Sequence, residues 1–279
     1  HYLPNKDLEW KNDAEKTIKI INNLDPVDWL VVDNYELNHT WETILKPYTK
    51  KIMVIDDMTK RKHNCDLILD QNFYTNMKKG YDGLIPHNCK KLIGPKFALL
   101  RKDFLRLRKN LRKRDGKIKR IIVSFGSSDP TNEIMKVLDA INQLDNKQMK
   151  VDIVLGISDK TPNNMKKLFS NKSNINYHYQ STKIAHLMKK ADLSIGSGGS
   201  TTWERCCLGL PSIVSISATN QKKLTQAVAK KGCSINLGLV NKLSSKDYQK
   251  AISSIDSLML IRMSQKCIQL VDGNGVYRV

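Results

Sequence analysis

The chain has 279 residues, 40% of them apolar, and carries 47 Lys and Arg against 27 Asp and Glu, a formal net charge of +20. That length makes one large domain or two modest ones with packed cores. No apolar run reaches the ~18 residues of a membrane span, nothing at the start reads as a secretory signal, and the positive balance favours acidic partners: nucleic acid, an anionic membrane surface or phosphorylated substrates.

Aromatic residues are sparse and not interleaved with the basic ones, which argues against a stacking platform for single strands and makes nucleic acid the weaker partner. The six cysteines, Cys65, Cys89, Cys206, Cys207, Cys233 and Cys267, contain no CxxC pair. Their spacing suggests neither a disulfide framework nor a zinc site, and the expectation is a reduced, cytoplasmic protein.

In chain order, residues 13–24 space their apolar side chains as an amphipathic helix, with Pro26 as its stop. Trp29 to Asp33 reads as a buried parallel strand with Asn34, Tyr35 and Glu36 beyond its end, where open α/β sheets bind ligands. A helix is expected over 41–45, then strands over 51–55 and 67–69 that end in Asp56-Asp57 and Asp70-Gln71-Asn72, and a turn or short strand over 93–95. A helix from Ala98 to about Leu111 leads into the densest charge run, Arg106, Arg108, Lys109, Arg112, Lys113, Arg114, Lys117, Lys119 and Arg120. We read this run as an interdomain linker with a solvated helix face; a membrane- or RNA-binding patch is the sharper reading.

A second α/β unit follows, with strands at 121–125, 151–155 and 175–179 and helices at 135–144, 164–169 and 184–190. Next comes the stretch from Asp192 to Gln221, DLSIGSGGSTTWERCCLGLPSIVSISATNQ. It contains a buried strand, a glycine-rich turn, a helix bearing Glu204 and a second apolar strand. Gly196, Gly198 and Gly199 allow close backbone approach, Ser200, Thr201 and Thr202 stand where a helix begins, and a helix N-terminus suits a diphosphate. Glu204 follows at a spacing that reaches a ribose hydroxyl, although a plain strand-to-helix turn satisfies the same spacing. A helix from Gln221 to Lys231, a strand over 234–237 and helices over 246–254 and 258–270 complete the chain. Alternating strands and helices imply α/β architecture with parallel, doubly wound sheets: two Rossmann-type domains, 1–114 and 115–279, facing across a cleft.

Nine pieces carry a family resemblance: VVDNY (31–35), IDD (55–57), CDLILDQN (65–72), YDGLIPHNC (81–89), IGPKFALLRKDF (93–104), SFGSSDPTN (124–132), SIGSGGSTTWE (194–204), the Asn220-Gln221 pair and DGNGVYRV (272–279). Together they resemble the PseG-type UDP-2,4-diacetamido-2,4,6-trideoxy-β-L-altropyranose hydrolases of pseudaminic acid synthesis and the similar spore-coat SpsG proteins. The resemblance implies a GT-B fold like that of MurG, with UDP on the C-terminal domain and the sugar facing the N-terminal one. It implies inverting attack of water on the anomeric carbon, with no metal and no cofactor.

Carried onto this chain, Gly198, Gly199, Ser200 and Thr201 would hold the diphosphate and Glu204 the ribose hydroxyls, with Gly126 and Ser127 facing the diphosphate. Tyr35 and Asn220 would stand near the sugar or the attacking water, and Gln221 beside Asn220. Tyr35 as a core-capping tyrosine and Asn220 as an ordinary helix N-cap are the structural alternatives. One departure stands out. The family opens on a Gly-x-Gly-His turn whose histidine is taken as the general base, and no such motif occurs here. The N-terminal domain is therefore expected to be truncated, and activity of this chain alone is in doubt. Of the remaining histidines, His39 is the substitute base, His63 and His87 read as loop residues and His186 as a structural helix residue. The expected function is hydrolysis of a UDP-linked 2,4-diacetamido-2,4,6-trideoxy sugar in nonulosonic acid or surface polysaccharide synthesis. The alternatives are a MurG-like UDP-sugar glycosyltransferase and a truncated, non-catalytic binder of UDP or nucleic acid; oligomeric state has no signal in the sequence.

Overall fold

A computed structural model describes residues 6–74, 76–126, 129–144, 146, 148–156, 173–179 and 181–279. The helix expected over 164–169 lies outside the described residues. The chain divides into two compact units, residues up to Phe97 together with Arg278 and Val279, and Ala98–Tyr277.

The first unit holds a four-stranded parallel sheet of β1 (Trp29–Val32), β2 (Lys51–Ile55), β3 (Leu67–Asp70) and β4 (Lys90–Ile93), in that order. Successive side chains of a strand face opposite sides. Ile52, Val54 and Ile68 accordingly pack into one core with Trp41 and Leu45, while Met53, Leu67 and Leu69 pack with Leu92 and Phe97 on the other. The inner strands β2 and β3 are covered on both faces and are continuously apolar; β1, at the edge of the sheet, leaves Trp29 and Val31 exposed, which corrects the expectation of a buried strand there. The first helix, Lys6–Ile21, starts earlier than its apolar spacing suggests and stops well before Pro26, because Asn23 Nδ2 donates to the Lys19 carbonyl at 2.8 Å and closes the last turn. Helix His39–Leu45 starts at Asn38, whose side chain accepts from Thr40 N at 3.0 Å.

The acids at the ends of β2 and β3 turn inward. Asp56 and Asp70 are buried, and Tyr81 Oη donates to the Asp56 carbonyl at 2.7 Å and lies 3.3 Å from an Asp70 carboxylate oxygen. Tyr74 Oη also donates to Asp70, at 2.7 Å. Burial pushes the Asp70 carboxyl up to about 6, against the opposing hydrogen bonds from Tyr74 and Asn72 N–H. Asp56 is held low: the cost of its burial is outweighed by His63, the Met58 N–H and Arg61, whose Nη1 lies 3.1 Å away. His63 lies in a loop, as expected, but is buried among acids, with Nδ1 2.7 Å from Glu42 and Nε2 3.7 Å from Asp56. Burial alone would push its imidazole down, but Asp56 and Glu42 hold it up to about 9.

The second unit holds a six-stranded parallel sheet: β5 (Arg120–Ser124), β6 (Lys150–Leu155), β7 (Ile175–Tyr179), β8 (Leu193–Ser197), β9 (Ser212–Ile216) and β10 (Ser234–Leu239). Its order is β10-β9-β8-β5-β6-β7. Helices Glu133–Asn142, Ile184–Lys190, Thr201–Cys207, Gln221–Lys230, Ser245–Ser253 and Ser257–Leu270 accompany it. Ile121, Val123, Val151, Ile153, Leu193 and Ile195 form its core with Ile134, Leu138, Tyr248 and Leu260. Each fully buried aliphatic side chain contributes about 1.5–3 kcal/mol. No described helix is long and apolar enough to cross a membrane.

The charge run over 106–120 corrects the linker reading. Lys109, Lys113 and Lys117 are exposed, as is Arg106, but Arg108, Arg112 and Arg114 bond the backbone of the second unit as staples. Arg108 donates to the carbonyls of Cys207 (2.6 Å) and Ile268 (2.8 Å), and Arg112 to those of Lys190 and Ala191 while pairing with Asp192. Arg114, itself buried, donates to Leu208, Gly209 and Ala191. Helix C-termini leave carbonyls without intrahelical partners and carry the negative end of the dipole, so a guanidinium with five donors is the natural cap.

A Cβ at Gly196 would overlap the Ser124 carbonyl oxygen of the neighbouring strand. Gly196→Ala therefore forces β8 from β5 and lowers the urea midpoint by a loss of about 1–3 kcal/mol. The His63 imidazolium contributes stability that is fully present below its unfolded pKa of about 6.5 and is lost as pH rises through about 9. Between these limits the wild-type unfolding free energy falls by on the order of 2–3 kcal/mol more than that of His63→Gln, measured by urea titration at each pH.

Candidate nucleotide site

The order of the second sheet reverses between β5 and β8, the two strands at its centre. Loops leaving the carboxyl ends of two such strands diverge to opposite faces and open a crevice, the place where open α/β sheets bind ligands. Gly126 lies just past β5, and Gly198, Gly199, Ser200 and Thr201 just past β8. The fold therefore brings together, at one sheet edge, two segments more than seventy residues apart, joined by Ser197 Oγ donating to the Phe125 carbonyl at 3.1 Å. Ser127 lies outside the described residues.

Gly126 (φ +98°) and Gly199 (φ +100°) both adopt backbone angles that disfavour side chains, and a Cβ at Gly199 would meet nothing within 4 Å. The backbone there faces open space. Gly198 is packed instead: a Cβ would stand 2.5 Å from Thr225 Oγ1 and 3.2 Å from Gln221 Cβ. Ser200 precedes helix Thr201–Cys207 in helical conformation and its side chain makes no capping bond. Glu204 is half-buried on that helix, and no hydrogen bond to its carboxylate is formed among the described residues. Burial pushes its carboxyl up, against the opposing charges of Arg101 and Arg205.

Gln221 opens helix Gln221–Lys230, and its Oε1 accepts from Ser217 N (3.1 Å) and Oγ (3.2 Å), tying the end of β9 to the helix. Asn220 stands at the cap position in helical conformation (φ −64°, ψ −23°) and its side chain caps nothing, which removes the ordinary N-cap reading. It is exposed.

Tyr35 belongs to the first unit, just beyond β1, and is 55% exposed, so it is not a core cap. Its Oη donates to Asp57 Oδ1 at 2.7 Å, and Asn72 Nδ2 donates to Asp57 Oδ2 at 2.9 Å. Burial and the neighbouring Asp57 push the Tyr35 phenol up, which keeps it protonated as a donor. A cavity of about 420 Å³ opens beside it, lined by Glu9, Trp10, Asp13, Asn34, Glu36, Leu37 and Asn38. His39 is exposed at the first position of its helix.

Sequence reasoning missed Arg205. It is 1% exposed, and its Nη2 donates to the Ser197 carbonyl (3.0 Å) and Thr202 Oγ1 (3.1 Å), so a fixed cation holds the glycine turn from below. The available signal was its place between Trp203 and Cys206, on the apolar side of a short helix. Asp57 was read only as a polar strand end; its role is to fix Tyr35 and Asn72 together.

The chain is 30% identical over 208 residues to the spore coat polysaccharide biosynthesis protein SpsG of Bacillus subtilis, covering 74% of this chain and 57% of that protein. It is 27% identical to an uncharacterized protein of Methanocaldococcus jannaschii, of which it covers 43%. The chain thus spans about half the length of these two relatives. It is 25% identical over 222 residues to the UDP-2,4-diacetamido-2,4,6-trideoxy-beta-L-altropyranose hydrolase of Campylobacter jejuni, covering 78% of each. Among solved structures, MurG of Acinetobacter baumannii superposes with a TM-score of 0.64 at 12% identity over 98% of this chain and 77% of that one. UDP-GlcNAc 2-epimerase of Neisseria meningitidis, solved with UDP-GlcNAc bound, gives 0.65 at 13% identity over 100% and 81%. These likenesses establish the GT-B-like α/β fold. Residues 120–266, which carry β5 to β10 and every site residue of the second unit, match the glycosyltransferase family 28 C-terminal domain, and the chain belongs to that family.

Proposed function

We propose that the chain is part of an enzyme that acts on a UDP-sugar, with the second unit holding the UDP. The observation that carries this is Glu204: a half-buried carboxylate with no hydrogen-bond partner among the described residues, on the helix that leaves the glycine turn of a family 28 domain. A carboxylate whose acceptor capacity is unused is free to take hydrogen bonds from a ligand, and a ribose diol offers two donors. The open backbone at Gly199, with Gly126, Ser127, Gly198, Ser200 and Thr201, would face the diphosphate, and Gln221 Nε2 is left to reach the ligand because its Oε1 is engaged by Ser217.

The finer reading is hydrolysis, with water attacking the anomeric carbon of a 2,4-diacetamido-2,4,6-trideoxy sugar. Diphosphate is a good leaving group, so amide dipoles that stabilise its developing charge suffice without a general acid. Positioning of the water is what remains. Tyr35, held as a donor by Asp57, and Asn220, whose amide is not spent on its helix, would serve the sugar end. The hydrolase of C. jejuni, matched over 78% of both chains, supports this reading and the pseudaminic-type pathway. The family name supports transfer to an acceptor as the second reading.

Calorimetric titration with UDP checks the site. The full chain binds UDP, and Glu204→Ala weakens it by about tenfold or more, the worth of a hydrogen bond to a charged group. An unchanged affinity sinks the assignment. Product analysis with a UDP-sugar separates the two reactions: free sugar and UDP formed without any acceptor mark hydrolysis, and product only with an added acceptor marks transfer.

A further inference from the structure

Three cysteines from three elements converge in the second unit, away from the glycine turn. Cys206 lies in the last turn of helix Thr201–Cys207, Cys233 precedes β10, and Cys267 lies on helix Ser257–Leu270. All three are buried, and their sulfurs lie within 4.8 Å of one another. Three sulfurs bound to one ion at about 2.3 Å stand roughly 4 Å apart, so this triangle closes on a single ion with small side-chain shifts. Cys267 Sγ also lies 3.3 Å from the Cys233 carbonyl, which keeps the sulfur directed at that neighbour rather than at solvent.

Three thiolates and one divalent cation leave a single negative charge, whereas a monovalent ion would leave the buried group more strongly negative.

We propose that Cys206, Cys233 and Cys267 form a binding site for one thiophilic divalent cation of the zinc type. Each coordinated thiol gives its proton to solvent as the metal–sulfur bond forms. The bound ion would cross-link the helix that follows the glycine turn to the chain's last long helix.

The test is titration of the reduced, metal-free full chain with Cd²⁺, followed by the ultraviolet thiolate-to-cadmium charge-transfer band. The band saturates at one ion per chain, Zn²⁺ competes for it, and Zn²⁺ raises the Tm. Cys206→Ala, Cys233→Ala and Cys267→Ala each weaken Cd²⁺ binding by about tenfold or more. The double variant Cys65→Ala/Cys89→Ala, which removes the other close thiol pair (3.6 Å), leaves the band intact. X-ray absorption at the cadmium edge of the wild-type chain counts sulfur neighbours without relying on any variant to fold, and three are expected. Absence of a band at stoichiometric Cd²⁺ in the folded chain, a band that follows Cys65 and Cys89, or fewer than three sulfur neighbours would overturn the proposal.

Discussion

The close approach of β8 to β5 at Gly196 and Ser124 is the constraint on which the second unit depends. Parallel neighbours normally leave room for a side chain at every position, and here one strand's carbonyl fills the space a Cβ would need. These strands are also where the sheet order reverses, so their loops emerge side by side at one edge. A residue larger than glycine at 196 would separate them and move the turn that follows. The glycine is therefore required for strand contact, whereas Gly199 is required for its backbone angle. Two glycines of one motif thus answer to different physics.

Both units bury acids and match them with cations. In the first, acids at strand ends are drawn inside and matched by Arg61, His63 and the hydroxyls of Tyr74 and Tyr81. The mutual pairing makes the group stable as a whole and costly to dismantle one member at a time. Above it, the Tyr35–Asp57–Asn72 chain reaches the surface, so an ordered interior supports an exposed donor. In the second unit Glu133, Asp152 and Asp192 are buried and paired with Lys136, Arg120 and Arg112, whereas the buried Arg114 and Arg205 bond mainly to carbonyls. Arg108, Arg112 and Arg114 collect the carbonyls at and just beyond the ends of the helices at 184–190 and 201–207, which ties these helices to the segment preceding β5. Three members of the charge run are thus engaged within the second unit rather than free for an acidic partner.

The alternation of strands and helices, both parallel sheets and nearly every strand position were legible in the sequence, because continuous apolar runs of four to six residues between polar breaks have few other solutions in a chain of this kind. The glycine-rich turn and Glu204 were legible for the same reason: local spacing carries them. Asn220 was legible only as a position. Whether its amide capped the helix or stood free depended on a backbone conformation that no spacing encodes, and the helical φ and ψ decided it.

Residues whose meaning comes from a distant partner could not be read from sequence. His63 looks like a loop residue until Glu42 and Asp56 close around it. Arg114 looks like one more charge in a run until the ends of two helices meet it. Cys206, Cys233 and Cys267 share no spacing, and only the packing of three elements brings their sulfurs together. Periodicity and turn chemistry act over a few residues, so the sequence decided which elements form and where the glycines fall. Charge pairing and thiol proximity act through space, across separations that only the packed chain sets, and the tertiary structure decided those.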